Sequence, residues 1–157
     1  MRKTTLSMKK TTRRGKNKTR KNNKNNKLLH AFEKEITLKF LQMLNTIKLY
    51  HWKTYSYATH KATDDLYSSL GEHVDHFIEI LLGKVGNRTN LLSVKTIPLT
   101  DISNRNEFKR EIQSYKTYLV NLNHNKALST MLNSDLFNIR DEILGDLNQF
   151  LYLYTLS

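Results

Sequence analysis

Four segments of the chain repeat large apolar residues every three or four positions, and this spacing restricts how the chain can fold. It is the period of an amphipathic α-helix, and no segment alternates apolar and polar residues as a half-buried strand does. A helix with one apolar stripe must bury that stripe against other elements. The segments cover about residues 28–52, 60–83 and 105–124, and about 134 almost to the C-terminus. The sequence therefore predicts an all-α, four-helix bundle.

The predicted core consists of the large side chains on these stripes, each of which contributes roughly 1.5–3 kcal/mol when buried. A crossover of about residues 84–103 joins the second and third helices; it contains Pro98 and is too apolar for a flexible linker. In chain order, the stripes are Phe32, Ile36, Phe40, Met43, Ile47 and Tyr50; Leu66, Leu70, Val74, Phe77 and Leu81; Phe108, Ile112, Tyr115, Leu119 and Leu122; Leu136, Ile139, Ile143, Leu147, Phe150 and Tyr154.

Residues 1–27, which we call the basic segment, differ in composition from residues 28–157. They hold 12 of the 26 Lys and Arg residues and no Asp or Glu, and they lack an apolar period. Such a segment buries too little surface to offset its ordering entropy, so we expect a disordered tail before the bundle. Cationic tails of this kind bind DNA or other polyanions, although an import address or a solubility tail has the same composition. The expected contacts are Lys9, Lys10, Arg13, Arg14, Lys16, Lys18, Arg20 and Lys21.

Composition also excludes several classes of protein. The sequence has no cysteine, so it forms no disulfide framework. Any metal must be held by His, Asp and Glu, which suits iron, manganese or zinc. No stretch reaches the roughly 18–20 apolar residues of a membrane span, and no apolar signal-peptide core follows the N-terminal charges. These features predict a soluble intracellular protein without a membrane partner, located in the cytoplasm, with the nucleoid or nucleus, or packaged in a virion.

The second helix carries His60-x3-Asp64-x10-Asp75-x3-Glu79. At 100° per residue these four positions lie within about 60° of Asp64, whereas the core stripe lies about 200–280° away. The acidic face therefore points out of its own bundle. Asp75 and Glu79 are like charges one turn apart with no Lys or Arg at helical spacing, and Gly71 in mid-helix costs about 1 kcal/mol relative to Ala. Carboxylates beside a small residue favour an interface that holds a cation over a solvated face.

Together with the dipeptide of His51 and Trp52 that ends the first helix, this pattern resembles the ferroxidase signature of the Dps-like mini-ferritins. The resemblance implies a ferritin-like bundle and a non-haem di-iron site across a two-fold dimer interface. His51, His60 and Asp64 would come from one subunit, and Asp75 and Glu79 from its mate. It also implies a homo-oligomer, a dimer at least and a dodecamer in the complete shell.

The activity implied by the resemblance is oxidation of Fe(II), commonly by hydrogen peroxide, with storage of ferric oxide inside the shell. Family members with lysine-rich N-terminal tails bind DNA through them, as the basic segment would. A different hypothesis is a non-enzymatic nucleic-acid-binding or structural protein on the same fold.

A second carboxylate group on the fourth helix offers another arrangement. Glu142 and Asp146 lie at the edge of its core stripe and could join His51 in a site inside the bundle, or serve with Asp141 as ion-pair partners of Arg140. The remaining histidines have no convincing partners at helical spacing, and we expect them to be structural or exposed; they are His30, His73, His76 and His124.

Overall fold

The computed structural model describes the backbone of residues 10–86 and 88–156, and the side chains within that part from residue 23 onward. It contains the helices α1 (Lys10–Lys53), α2 (Tyr57–Val85), α3 (Arg105–Asn121) and α4 (Ser134–Leu153). Two 3-10 turns, Leu122–His124 and Leu128–Thr130, lie between α3 and α4, and the described residues include no strand. The predicted all-α, four-helix bundle is therefore confirmed. Within the same residues, no helix combines the length and apolar character needed to cross a membrane.

The core is formed by the four predicted stripes, every residue of which is buried. α2 packs between α1 and α4, and α3 packs against α4. Phe40 on α1 meets Phe77 on α2 edge to face at 5.3 Å, and Tyr50 stacks on Phe108 of α3 at 3.7 Å. Segments outside the predicted helices add further core residues, among them Ile102 and Leu128. Because its inner face is used in this core, α2 presents the opposite face outward.

The helix ends follow the capping chemistry of the sequence. α2 begins three residues before the predicted start because the Ser56 side chain accepts a hydrogen bond from the Thr59 backbone N–H. It ends at Val85 and is followed by Gly86, whose N–H donates to the Leu82 carbonyl and whose left-handed φ of 73°, which glycine adopts without strain, turns the chain away from the helix. The Asn104 side chain caps α3 by accepting from the Glu107 N–H. The turn between α1 and α2 is therefore only residues 54–56.

The structure differs from the predicted disorder over residues 10–27, which continue α1 toward the N-terminus. Lys and Arg are good helix formers, and no proline interrupts residues 10–53. Adding residues to an existing helix costs far less than nucleating one, so the packed part of α1 can extend into a basic sequence. Residues 1–9, including the predicted contact Lys9, lie outside the described residues.

Candidate functional site

The short turn between α1 and α2 brings His51, His60 and Asp64 together, and we call these residues the histidine cluster. The two imidazole rings stack with centroids 3.9 Å apart and an angle of 25° between their planes. His51 Nδ1 lies 3.1 Å from the His60 carbonyl oxygen, and His60 Nδ1 lies 3.1 Å from the His51 carbonyl oxygen. Because a carbonyl only accepts, each Nδ1 carries the hydrogen. This arrangement leaves both Nε2 atoms available to a ligand, as in metal-bound histidines.

His51 owes its fixed position to two buried threonines on α2. Its side chain is only 6% exposed, and its Nδ1 also lies 3.2 Å from the Thr63 hydroxyl oxygen. That hydroxyl donates to the Thr59 carbonyl at 2.8 Å, so it can accept from the imidazole. His51 therefore joins the end of α1 to the first two turns of α2, and its ring orientation is set within the chain.

Asp64 completes the histidine cluster and already has a cationic neighbour. Its Oδ1 lies 3.9 Å from His51 Nε2 and 3.6 Å from the Lys48 ammonium, which also lies over the Tyr67 ring at 4.6 Å. Lys61 on α2 does not compete for Asp64, because it pairs with Asp65 at 3.1 Å and this hydrogen bond raises the pKa of the Lys61 ammonium. Lys48 therefore stands where it could balance the Asp64 charge when no other cation does.

Asp75 and Glu79, which we call the carboxylate pair, lie farther along α2 and are exposed. Neither makes a hydrogen bond or ion pair with any other residue that the structure describes. Glu79 lines a shallow cleft of about 520 Å³ together with Leu82, Gly86 and Arg88. The sequence prediction that these carboxylates face away from the core is confirmed by their exposure.

The histidine cluster and the carboxylate pair are too far apart to bind one ion within a single chain. Asp64 and Asp75 are eleven residues apart on one helix, about 16 Å along its axis, whereas metal–oxygen bonds are about 2 Å long. Accordingly, the described part of the chain contains no group of three or more His, Asp or Glu side chains that could hold a metal ion. The predicted inter-subunit site therefore requires a second chain and stays a prediction.

Gly71 lies on the outer face of α2, between the histidine cluster and the carboxylate pair. A Cβ atom added at this position would meet no heavy atom within 4 Å. Packing within the chain therefore does not require glycine here, although glycine in a helix interior costs about 1 kcal/mol relative to alanine. Close approach of another molecule would account for it.

Residues 51–154 match the profile of a family described as Family of unknown function (DUF5856). The chain belongs to this family. No curated protein and no solved structure matches it. The DUF5856 region begins at His51 and contains all five candidate ligands of the histidine cluster and the carboxylate pair, but it leaves out the basic segment and most of α1.

Inside the DUF5856 region, the structure places the carboxylates of α4 differently from the sequence prediction. Asp146 lies 2.7 Å from His73 Nδ1, and Glu142 lies 3.9 Å from His73 Nε2, so both face His73 on α2 instead of His51. Asp141 pairs with Arg140 at 2.8 Å, as predicted. The partners of His73 come from another helix and not from helical spacing on α2, which fits the structural role expected for it. The available signal was that His73 and Asp146 both lie at the edges of core stripes.

The predicted nucleic-acid contacts lie before the DUF5856 region. From Lys10 to Lys21 they belong to the α1 backbone, outside the part whose side chains the structure describes. They therefore stay a prediction from charge and composition.

Proposed function

We propose that this chain is a Dps-like iron-oxidising and iron-storing protein whose sites form between two copies, and that its basic segment binds DNA. The observation that carries the proposal is the division of the candidate ligands along α2. The histidine cluster is ordered by contacts within the chain, while the carboxylate pair is exposed and unpaired among the described residues. Each half thus lacks what the other supplies.

A two-fold axis across the outer face of α2 would join the two halves. Two antiparallel copies of α2 can be set in the register that places His60 opposite Glu79 of the second copy. The equal spacing within the two pairs then places Asp64 opposite Asp75. The same register sets Ser68 opposite Gly71, where small side chains permit close approach. Because a two-fold interface is self-complementary, one contact would create two identical sites.

The ligand chemistry supports iron as the substrate. Imidazole nitrogen and carboxylate oxygen suit iron, and the absence of cysteine leaves only such ligands. Two Fe(II) ions would each give one electron to hydrogen peroxide, which yields two Fe(III) ions and two hydroxide ions. The carboxylates would offset the added positive charge of the oxidised ions. The Nδ1 contacts of His51 and His60 would keep both imidazoles oriented through that change.

Complementation between two inactive variants tests whether the site is shared. One variant carries His60→Ala and Asp64→Ala, and the other carries Asp75→Ala and Glu79→Ala. In a mixed pair, one site receives both altered halves and the other receives both native halves. Each variant alone should fail to produce ferric absorbance with Fe(II) and peroxide. An equimolar mixture unfolded and refolded together should regain about one quarter of the wild-type rate through random pairing.

The controls separate a shared site from a site within one chain. Mixing the two variants without unfolding should restore less activity if the copies exchange slowly. A mixture of either variant with itself provides the baseline. If the refolded mixture stays at that baseline while both variants remain folded and paired, the shared site is wrong. Wild-type activity in the variant that lacks Asp75 and Glu79 would contradict the iron proposal itself.

One observation favours the second function, a non-enzymatic nucleic-acid-binding or structural protein. Lys48 lies 3.6 Å from Asp64 Oδ1, where its charge can replace that of a metal ion. In that case α2 would still pair with its copy, but the sites would bind no iron. Iron titration of the wild-type protein distinguishes the two functions, because only the first predicts saturable uptake that depends on the carboxylate pair.

A further inference from the structure

A cleft of about 740 Å³ lies between α1 and the start of the crossover, on the same helix as the basic segment. His30 and Lys34 line it from α1, and Arg88, Asn90 and Ser93 line it from the crossover. The Lys34 ammonium donates to the Ser93 hydroxyl at 2.7 Å, which holds the two walls together. The cleft therefore concentrates nitrogen and hydroxyl donors around one open space.

The charge that this cleft presents is positive. Its one lining carboxylate, Glu33, is only 4% exposed and lies 3.6 Å from His30 Nδ1. Lys34 and Arg88 have no carboxylate partner among the residues whose side chains are described. The neutral Ser93 hydroxyl leaves the Lys34 charge uncompensated. Arg88 is exposed and Lys34 is partly exposed. Solvent-accessible cations beside amide and hydroxyl donors are the usual partners of backbone phosphates in nucleic-acid complexes.

The cleft is also continuous with the basic segment along α1. Lys27 precedes Lys34 by seven residues, two helical turns, so both lie on nearly the same face about 10.5 Å apart. Lys24 is one turn farther toward the N-terminus, and both Lys24 and Lys27 are exposed. No acidic residue occurs in the chain before Glu33. With a rise of about 3.4 Å per phosphate on one DNA strand, the distance between Lys27 and Lys34 along α1 spans about three phosphates.

We propose that this cleft is the bundle end of a DNA-binding surface that begins in the basic segment, with Lys34 and Arg88 contacting backbone phosphates. The inference rests on the proposed DNA binding by the basic segment and extends it to residues of the folded bundle. The contacts are to phosphate, so they set how the bundle lies on the duplex and carry no base specificity.

The test uses two full-length double variants. The cleft variant combines Lys34→Gln and Arg88→Gln, and the control combines Lys109→Gln and Arg110→Gln. The control removes one lysine and one arginine from α3, both of which are exposed and lack a carboxylate partner among the described residues. Fluorescence anisotropy with a double-stranded DNA of mixed sequence gives the affinity over a series of KCl concentrations. The slope of log affinity against log salt is negative, and loss of two phosphate contacts should reduce its magnitude by about 1.8.

The control should leave that slope unchanged. Equal slopes for both double variants would overturn the inference. The inference would also be wrong if the cleft variant lost binding of inorganic phosphate while its slope with DNA stayed the same as that of the wild type. A third protein that lacks residues 1–27 separates this result from the proposed function. If the truncation abolishes salt-sensitive binding but the cleft variant matches its control, DNA binding by the basic segment stands and the cleft is excluded. If the wild-type protein does not bind DNA, both proposals fail.

Discussion

The histidine cluster and the carboxylate pair share one face of α2 but are organised in different ways. His51 and His60 are held by reciprocal bonds from each Nδ1 to the backbone carbonyl of the other, and Thr63 supports His51. Asp75 and Glu79 have no such contacts among the described residues. Preorganised side chains lose their conformational entropy during folding, whereas exposed side chains lose it only when they bind a ligand. One end of the face is therefore built by the chain, and the other depends on what binds there.

This difference predicts that mutations at the two ends affect stability unequally, although both abolish iron oxidation. His51→Ala should lower the free energy of unfolding by about 2–3 kcal/mol, because it opens a cavity and removes the partner of buried hydrogen-bonding groups. Glu79→Ala should change it by less than about 0.5 kcal/mol, since the side chain is exposed and loses only repulsion from Asp75. Urea unfolding of the two variants measures both values.

Both variants should nevertheless lose peroxide-dependent iron oxidation. A loss of stability in Glu79→Ala as large as that in His51→Ala would mean that the carboxylate pair has a structural role within the chain. Equal, negligible losses would mean that the histidine contacts do not order the cluster.

Gly71 tests whether the space beside the carboxylate pair is used by a second copy. Gly71→Ala should stabilise the separated chain by about 0.5–1 kcal/mol, because the helix gains propensity and the new Cβ meets nothing within 4 Å. The same Cβ should weaken a close α2 pair. Thermal unfolding of dilute protein measures the first effect, and sedimentation equilibrium measures the second.

Gly145 on α4 provides a matched control, because a Cβ there also meets nothing within 4 Å. Gly145→Ala should stabilise the chain without changing self-association. If both variants self-associate as the wild type does, or if the wild-type protein is a monomer at all concentrations, the proposed interface is wrong.

The apolar pattern of the sequence predicted the packing of single helices but not the relations between helices. Residues such as Phe40 and Phe77 could be assigned to the core because the helical period alone decides which face is apolar. The same period showed that Asp75 faces outward. His73 and Asp146 required the rotation of α4 against α2, which no periodicity encodes.

The extent of α1 and the start of α2 were missed for local reasons. The basic segment lacks apolar residues, and this absence indicated disorder although Lys and Arg favour helices once a helix has begun. The start of α2 depends on Ser56, whose capping role is clear only with the hydrogen bond to the Thr59 N–H. The short turn that results, and with it the His51 and His60 contacts, depends on these few polar groups.

Lys48 provides the smallest predicted effect that distinguishes the histidine cluster from the carboxylate pair, because its charge already lies beside one candidate ligand. Its ammonium lies 3.6 Å from Asp64, whereas no cation is paired with the carboxylate pair among the described residues. A metal ion at Asp64 would have to share that carboxylate with Lys48 or displace it, and a partly exposed pair of this kind is worth about 0.5–1 kcal/mol. Lys48→Gln should therefore tighten binding of Mn(II), a probe that avoids oxidation, by about two- to fivefold in isothermal titration.

Lys61→Gln removes a nearby charge that is paired with Asp65 and should leave the affinity unchanged. Equal tightening in both variants would indicate a general charge effect, and no change in either would show that Asp64 is not a ligand, which leaves the histidine cluster as a helix joint without a role in metal binding.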